Sequence, residues 1–161
     1  MVPKHKKYAT SIRYSGAIIV NKDVLREKDL DEPTSYEDLL DPKYNGLISM
    51  PSPKASGTGY MFLKNLVNEM GEKEAFAYFD KLTNNILQYT SSGSGPVNAL
   101  VQGEVAIGLG MTFQAVQEIN KGANLKILFF EEGAPWTTSV FAIVDGHQNK
   151  EGVQEVFRYF F

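Results

Sequence analysis

Small hydroxyl and glycine residues gather at three places where a short apolar segment gives way to a helical pattern. They are Ser56, Gly57, Thr58 and Gly59; Ser92, Gly93 and Ser94; and Thr112. A helix start leaves backbone N–H groups without intrahelical partners and carries the positive end of the helix dipole, so it favours an anion. Hydroxyl groups add further hydrogen bonds, and glycine lets a ligand approach the backbone. The pattern predicts a binding site for a small anionic solute.

A structural role for these residues stays open beside the binding role, because Ser and Gly ahead of a helix are also ordinary capping residues. The first segment is not a P-loop, since the Gly-Lys-Ser/Thr ending is absent, and it is not a dinucleotide fingerprint. One such junction is common in proteins. Three along one chain favour binding over capping alone.

Apolar segments alternate with helical patterns along the whole chain. We predict strands over residues 11–20, 47–50, 86–89, 105–109, 125–130 and 138–144, and helices over 24–28, 59–70, 72–82, 96–102, 113–121 and 149–161. The alternation predicts an α/β fold with a mixed, mostly parallel sheet flanked by helices. In such sheets ligands bind outside the carboxyl ends of the strands, where helices begin. The three hydroxyl junctions should therefore share one edge of the sheet.

Two local features can be tested directly. Thr34 and Glu37 have the spacing of a capping box, which would open a short helix ending at Leu40. A second prediction concerns the core: Phe76, Phe79 and Leu82 should form one face of their helix. The aromatic and Met residues expected in the core are Met61, Phe62, Phe76, Phe79, Phe129 and Phe130.

The composition excludes several classes of function. A net charge of -3 argues against a general nucleic-acid binder, which would be basic. The chain has no cysteine, so disulfides, thiolate nucleophiles and Cys-ligated metals are excluded. Its two histidines, His5 and His147, stand far apart without neighbours at metal-ligand spacing. We therefore expect no metal site and no cofactor.

An enzyme acting at these loops is not expected. General acid–base chemistry would need a titratable group there, and no acidic or histidine residue lies within the Ser56 or Ser92 loop. Glu131 and Glu132 are the nearest acidic candidates at a strand end. A serine hydrolase would need Gly-x-Ser-x-Gly, and Ser91 and Ser92 stand where the first glycine should be. No catalytic residue is predicted.

Four motifs in order then carry a family resemblance: Asp38–Pro51 (DLLDPKYNGLISMP), Ser56–Tyr60 (SGTGY), Ser92–Ser94 (SGS) and Gly103–Gly110 (GEVAIGLG). The sequence resembles the second lobe of the extracellular solute-binding proteins of ABC importers. The resemblance points to the ferric-ion, thiamine and phosphonate or sugar-phosphate branch, with the type II periplasmic-binding-protein fold. It covers residues 11–161, which we expect to form a single α/β lobe.

The resemblance implies a setting for this lobe. Residues 1–10 would be a leader or an expression-derived segment, and the partners would be a small solute, the first lobe of the same protein and an ABC permease in a bacterial membrane. The full-length protein would act outside the cytoplasm, although no signal peptide is visible here. A ligand-sensing domain of a transcription regulator, which shares the fold, is the alternative.

The resemblance also implies roles for particular residues. The Ser56–Gly59 and Ser92–Ser94 loops match the positions where the family holds a phosphate or a synergistic anion, and Thr112 matches the third loop. Tyr14 and Trp136 would either wall the cleft or serve as ordinary core or surface aromatics. The ferric binders carry a tyrosine pair where this chain has Met111, Thr112 and Phe113. Direct ferric ligation in the usual way is therefore not expected, and the solute is predicted to be phosphate- or phosphonate-bearing or a metal–anion complex.

Overall fold

The computed structural model describes residues 8–160. Six strands are β1 Ala9–Asn21, β2 Ile48–Pro51, β3 Ile86–Thr90, β4 Ile107–Met111, β5 Leu125–Leu128 and β6 Trp136–Phe141. Six α-helices are α1 Lys22–Glu27, α2 Gly57–Met70, α3 Glu72–Leu82, α4 Gly95–Val101, α5 Thr112–Asn120 and α6 Val153–Tyr159. Every predicted strand and helix is present, with ends shifted by a few residues. Most of the predicted leader lies outside the described residues.

The described residues group into two compact units, residues 15–136 and a smaller unit of residues up to Tyr14 together with those from Thr137. In the larger unit the strand order is β3-β2-β4-β1-β5. β2 runs parallel to β3 and β4, whereas β1 runs antiparallel to β4 and β5. One strand thus opposes four that share a direction, which confirms the predicted mixed, mostly parallel sheet. In the smaller unit β6 pairs with β1.

Helices cover both faces of the larger unit's sheet. Along β1, Ile18 and Val20 enter one apolar cluster with α2 and α3, while Ile19 enters the other with α4 and α5. The alternation follows from the two-residue period of a strand. A strand buried on both faces explains the continuous apolar run that predicts it. Among the described residues no helix is long and apolar enough to cross a membrane.

The predicted capping box is wrong by one residue. Ser35 N donates to Asp38 Oδ2 at 3.2 Å, and Asp38 N donates to Ser35 Oγ at 3.1 Å. Thr34 N and Thr34 Oγ1 also donate to Asp38 Oδ2, at 2.7 and 2.8 Å. The carboxylate of Asp38 thus gathers three donors, a task that Glu37 was expected to perform. The helix that follows is a single 3₁₀ turn, Glu37–Leu40.

The core prediction is right for some aromatics and wrong for others. Phe62 and Phe130 are buried, and Phe79 packs partly buried against the same cluster. Phe76 and Phe129 are 49% and 64% exposed, so they are not core residues. Met61 is half-buried.

The buried face of α3 consists of Ala75, Tyr78 and Leu82, instead of Phe76, Phe79 and Leu82. Burial of Tyr78 is possible because its hydroxyl donates to Tyr36 O at 2.8 Å, which satisfies a polar group that would otherwise be costly to bury. By hydrophobicity alone, phenylalanine is a better candidate than tyrosine for the buried face of α3. The hydrogen bond to Tyr36 O is the reason that Tyr78 is buried in place of Phe76.

Candidate functional site

The three hydroxyl junctions do lie at one edge of the sheet. β3, β2 and β4 are neighbours that run parallel, and they are followed at their carboxyl ends by α4, α2 and α5 respectively. The α2 junction is therefore flanked by the other two. This arrangement meets the expectation for a ligand site in an α/β sheet.

The first and second loops touch each other. A Cβ placed on Gly93 would collide with Thr58 Oγ1 and would lie 3.0 Å from Thr58 Cβ and 3.5 Å from Ser56 Oγ. No side chain fits between the loops at this point. The absence of a side chain at residue 93 is thus what allows the hydroxyls of both loops to share one surface.

At the start of α2, one backbone amide is capped by a side chain, and the space around Gly57 is open. Ser56 Oγ accepts a hydrogen bond from Thr58 N at 3.2 Å, so the capping role is real for Ser56, whose own hydroxyl hydrogen stays available to another acceptor. A Cβ on Gly57 would meet nothing within 4 Å. Gly59 differs, because a Cβ there would lie 2.7 Å from Ser52 C. Gly59 seats the helix against the end of β2, whereas Gly57 faces open space.

The second loop offers hydroxyls more than helix amides. Gly95 N already donates to Ser92 O at 3.3 Å, and Pro96 has no N–H to offer. Ser94 does not cap α4; its Oγ lies 3.1 Å from Ser92 Oγ in an exposed pair. A pair of hydroxyls sharing one hydrogen bond keeps one hydrogen for a ligand. The start of α4 therefore offers an anion fewer free amide donors than the start of α2 does.

The third loop brings in two residues that the sequence did not indicate. Thr112 Oγ1 donates to Ser15 O at 3.0 Å and lies 3.3 Å from Ser15 Oγ. Gln114 Nε2 donates to Ser94 O at 3.2 Å and to Asn98 Oδ1 at 3.0 Å. Gln114 thus ties the third loop to the second, and Ser15 adds a hydroxyl from β1. Ser15 comes close to Thr112 because β1 pairs with β4 so that Gly16 lies opposite Met111. Only this strand pairing could have identified Ser15.

Gly16, the residue after Ser15, connects β1 to α2. A Cβ on Gly16 would lie 2.8 Å from Phe62 Cζ and 3.0 Å from Pro135 Cγ, and Gly16 N donates to Pro135 O at 2.9 Å. Phe62 lies one helical turn after Thr58. The contacts therefore form a closed circuit through α2, the second loop, α5 and β1. We call its hydroxyl residues the hydroxyl cluster: Ser15, Ser56, Thr58, Ser92, Ser94 and Thr112.

The sequence leaves a cleft-wall role open for Tyr14 and Trp136. Trp136 begins β6, adjoins Pro135 in sequence and is 66% exposed, so it is not a core residue. Tyr14 is half-buried and belongs to the smaller unit. A wall role for either aromatic stays a prediction.

The hydroxyl cluster relies on neutral donors. Lys54 is the single charged residue of its three loops, residues 51–58, 90–96 and 111–113, and it is exposed. The displaced pKa values lie elsewhere: burial raises the pKa of Tyr36 and of Tyr78, and hydrogen bonds from Thr34 lower the pKa of Asp38. Within residues 8–160 no three His, Cys, Asp or Glu side chains form a group that could hold a metal ion. The arrangement suits hydrogen bonding to an oxyanion.

The smaller unit carries an apolar groove. It has a volume of about 600 Å³, and its lining includes Phe141, Val144, Val156 and Phe160, with His147 and Lys150 beside them. Apolar residues dominate the groove, and none of the predicted site residues lines it. The groove and the predicted site therefore share no residue.

The chain matches known proteins over almost its whole length. The family model described as bacterial extracellular solute-binding protein matches residues 2–161. An uncharacterised protein of Haemophilus influenzae is 33% identical over 149 residues, which cover 91% of this chain and 43% of that protein. A putative 2-aminoethylphosphonate-binding periplasmic protein of Salmonella typhimurium is 24% identical over 159 residues, which cover 94% of this chain and 46% of that protein.

A solved structure agrees with the sequence matches. The periplasmic binding protein AfuA from Actinobacillus pleuropneumoniae, with exogenous fructose-6-phosphate bound, superposes with a TM-score of 0.87 at 29% identity, covering 99% of this chain and 49% of that one. The chain thus spans about half the length of these relatives. The family resemblance and the fold predicted from the four motifs are confirmed. The chain belongs to the bacterial extracellular solute-binding proteins, a family of non-enzymatic binders that serve ABC import.

Proposed function

We propose that this chain is the lobe of a solute-binding protein that holds the phosphate or phosphonate group of a small solute. The rest of the full-length protein would close over the remainder of that solute, and an ABC permease would receive it. On this proposal the protein works outside the cytoplasm, as its periplasmic relatives do. The hydroxyl cluster is the binding surface, with Ser56, Thr58, Ser92 and Ser94 facing the oxyanion.

One observation carries this proposal: the contact between Gly93 and Thr58. It joins the hydroxyls of two loops on adjacent parallel strands and leaves the space before Gly57 open. A tetrahedral oxyanion needs several donors converging from different directions, which a single capped helix does not supply. The relatives add support, because the names of two of them mention a phosphonate and a sugar phosphate, which share a phosphorus oxyanion.

The strength of such a site can be gauged from its parts. A hydrogen bond to a charged group contributes about 1.5–3 kcal/mol, and a helix terminus about 0.3–1 kcal/mol. Micromolar affinity corresponds to roughly 8 kcal/mol, after the cost of immobilising the solute has been subtracted. Four hydroxyls and one helix start can approach this value only when the rest of the solute is also held. We therefore expect tight binding from the full-length protein and weak binding from this chain alone.

The test is calorimetric titration of the full-length protein with 2-aminoethylphosphonate and with fructose 6-phosphate. Thr58→Ala removes one hydroxyl donor, and we expect it to weaken binding of the accepted solute by about 1.5–3 kcal/mol, or roughly 10- to 150-fold. Thr83→Ala is the matched control. Thr83 precedes β3, at the opposite end of the strand from the cluster, and its hydroxyl donates to Phe79 O at 2.8 Å.

The outcomes separate clearly. Weaker binding in Thr58→Ala with unchanged binding in Thr83→Ala supports the cluster as the oxyanion site. Equal affinity in wild type and Thr58→Ala would remove Thr58 from the site. Binding of neither phosphorus compound by the wild type would overturn the proposed solute class.

A further inference from the structure

Thr112 and Ser15 differ from the rest of the hydroxyl cluster in how their hydrogens are used. The Thr112 hydroxyl donates to the carbonyl oxygen of Ser15 at 3.0 Å, and that bond consumes its single hydrogen. The 3.3 Å contact between the two hydroxyl oxygens must then have Ser15 as its donor. Thr112 Oγ1 is left with acceptor capacity only.

The other loops keep hydrogens to donate. Ser56 Oγ accepts from a backbone amide, which leaves its own hydrogen unused, and the Ser92–Ser94 pair holds one spare hydrogen. The cluster is therefore divided into a donating side at α2 and the second loop and an accepting corner at Thr112. Gln114, on the same helix as Thr112, donates from Nε2 to Ser94 O at 3.2 Å. This hydrogen bond holds the start of α5, and with it Thr112, in position beside the second loop.

We propose that Thr112 is a specificity-determining residue that selects solutes carrying a hydrogen-bond donor, such as an ammonium or a hydroxyl group, beside the phosphorus oxyanion. This inference rests on the proposed function and deepens it. A fully deprotonated oxyanion brings only acceptors to its surroundings, so it has no hydrogen to give Thr112 Oγ1, whereas N–H or O–H groups do. A solute with only a methyl group at that point leaves the half-buried Thr112 oxygen without a ligand donor.

The test uses alkyl phosphonates that differ in one group. Aminomethyl-, 2-aminoethyl- and 3-aminopropylphosphonate are each titrated against the isostere in which methyl replaces the ammonium group, namely ethyl-, propyl- and butylphosphonate. Three chain lengths allow for the distance between the oxyanion and Thr112. In the full-length wild type we expect at least one amino compound to bind tenfold or more tightly than its isostere.

Two substitutions at Thr112 test whether its hydroxyl oxygen causes this preference. Thr112→Val keeps the shape of the side chain and removes the acceptor, so the preference should fall to threefold or less while the alkyl phosphonates still bind. Thr112→Ser keeps the oxygen and should retain the preference.

A purely structural role for Thr112 would weaken both members of each pair alike and leave their ratio unchanged. An unchanged ratio in Thr112→Val, or a wild type that does not distinguish any pair, overturns the inference while the proposed function stands. Failure of the wild type to bind any of the six phosphonates overturns the inference, and the proposed function falls with it when fructose 6-phosphate is not bound either. Circular dichroism of each variant confirms that the fold is intact.

Discussion

Replacing Gly59 with alanine should destabilise the fold, whereas the same change two residues earlier should not. A Cβ on Gly59 would overlap Pro51 O and would lie 2.7 Å from Ser52 C and 2.8 Å from Pro51 C. These are backbone atoms at the end of β2, so they cannot move aside as a flexible side chain can. The helix must shift off the strand, or the strand end must distort.

The size of the effect follows from packing energetics. Overfilling a well-packed interior by one methyl group costs typically about 1–3 kcal/mol, and contact with backbone belongs at the upper end of that range. We expect Gly59→Ala to lose about 2–3 kcal/mol of unfolding free energy. For a chain of this length that is roughly 4–12 °C in Tm.

Gly57→Ala supplies the matched control. Gly57 is the first residue of α2, its φ is not in the left-handed region, and a Cβ there meets nothing within 4 Å. Alanine restricts the unfolded chain more than glycine does and favours the helix, so stability should rise by about 0.5 kcal/mol.

Thermal unfolding followed by circular dichroism at 222 nm measures both variants beside the wild type. The two substitutions are chemically identical and lie in the same turn, so helix propensity alone predicts the same sign for both. Opposite signs support the close approach of α2 to β2. A Gly59→Ala protein as stable as the wild type would refute the reasoning, as would equal losses in both variants.

Two further predictions concern polar groups outside the site. Hydrogen bonds from Thr34 lower the pKa of Asp38 in the folded state, so its stabilising contribution is present above the unfolded-state pKa of about 3.9 and is lost as the pH falls through the lowered folded value. Asp38→Asn should therefore lower the urea midpoint at pH 7, and its difference from the wild type should shrink below about pH 4; a constant difference from pH 7 to 2.5 would contradict this. In the core, Asn85 Nδ2 donates to Leu39 O and Asp41 O, each at 2.8 Å, whereas buried Ser49 Oγ has no hydrogen-bond partner among the described residues. Urea unfolding should show a loss of about 2–3 kcal/mol for Asn85→Ala and a neutral or stabilising effect for Ser49→Ala, and comparable losses in both would mean that Ser49 is satisfied by water.

The sequence predicts the element order of this fold well because strand and helix periods are local properties. β1 is identified by a continuous apolar run, and α2 by its apolar spacing and the glycine that ends it. Side-chain hydrogen bonding is harder to predict, because it depends on distances of a fraction of an ångström. Thr34 and Glu37 fit the capping-box spacing, yet Ser35 and Asp38 form the box. The predicted capping box is displaced by one residue, and the hydroxyl and carboxylate bond the backbone amides in the way that was predicted.

Burial of individual aromatics was predicted less well for a related reason. Phe76 and Tyr78 are both aromatic residues of α3, and hydrophobicity ranks Phe76 as the better core residue. Tyr78 is buried because Tyr36 O, far away in the sequence, accepts its hydroxyl hydrogen. Its ring also meets that of Tyr36 edge-on, with centroids 6.2 Å apart. A partner supplied by the tertiary fold cannot be recognised from the pattern of one helix.

The same reasoning explains which part of the candidate site the sequence indicated. The Ser56 and Ser92 loops and Thr112 stand at strand-to-helix junctions, so a parallel sheet brings them to one edge automatically. Ser15 stands in the middle of β1, and it reaches the cluster only because β1 crosses antiparallel beside β4 with Gly16 opposite Met111. No local pattern marks that pairing. The cluster hydroxyl that the sequence missed is therefore the one contributed by the single reversed strand.

The antiparallel strand β1 also makes the hydrogen bonding of Thr112 differ from that of the other hydroxyls in the cluster. The start of α2, its Ser56 cap and the Ser92–Ser94 pair present hydrogens, and a site built from these groups alone would hold any oxyanion of suitable size. β1 instead presents a carbonyl oxygen, Ser15 O, which takes the hydrogen of Thr112 and turns a potential donor into an acceptor. Under the proposed function, the parallel strands and the helices that follow them would bind an oxyanion, and the antiparallel strand would let the site discriminate between solutes. Under the proposed function, we expect selectivity to respond to substitutions at Thr112 and affinity to substitutions at Thr58, because the two residues would face different groups of the solute.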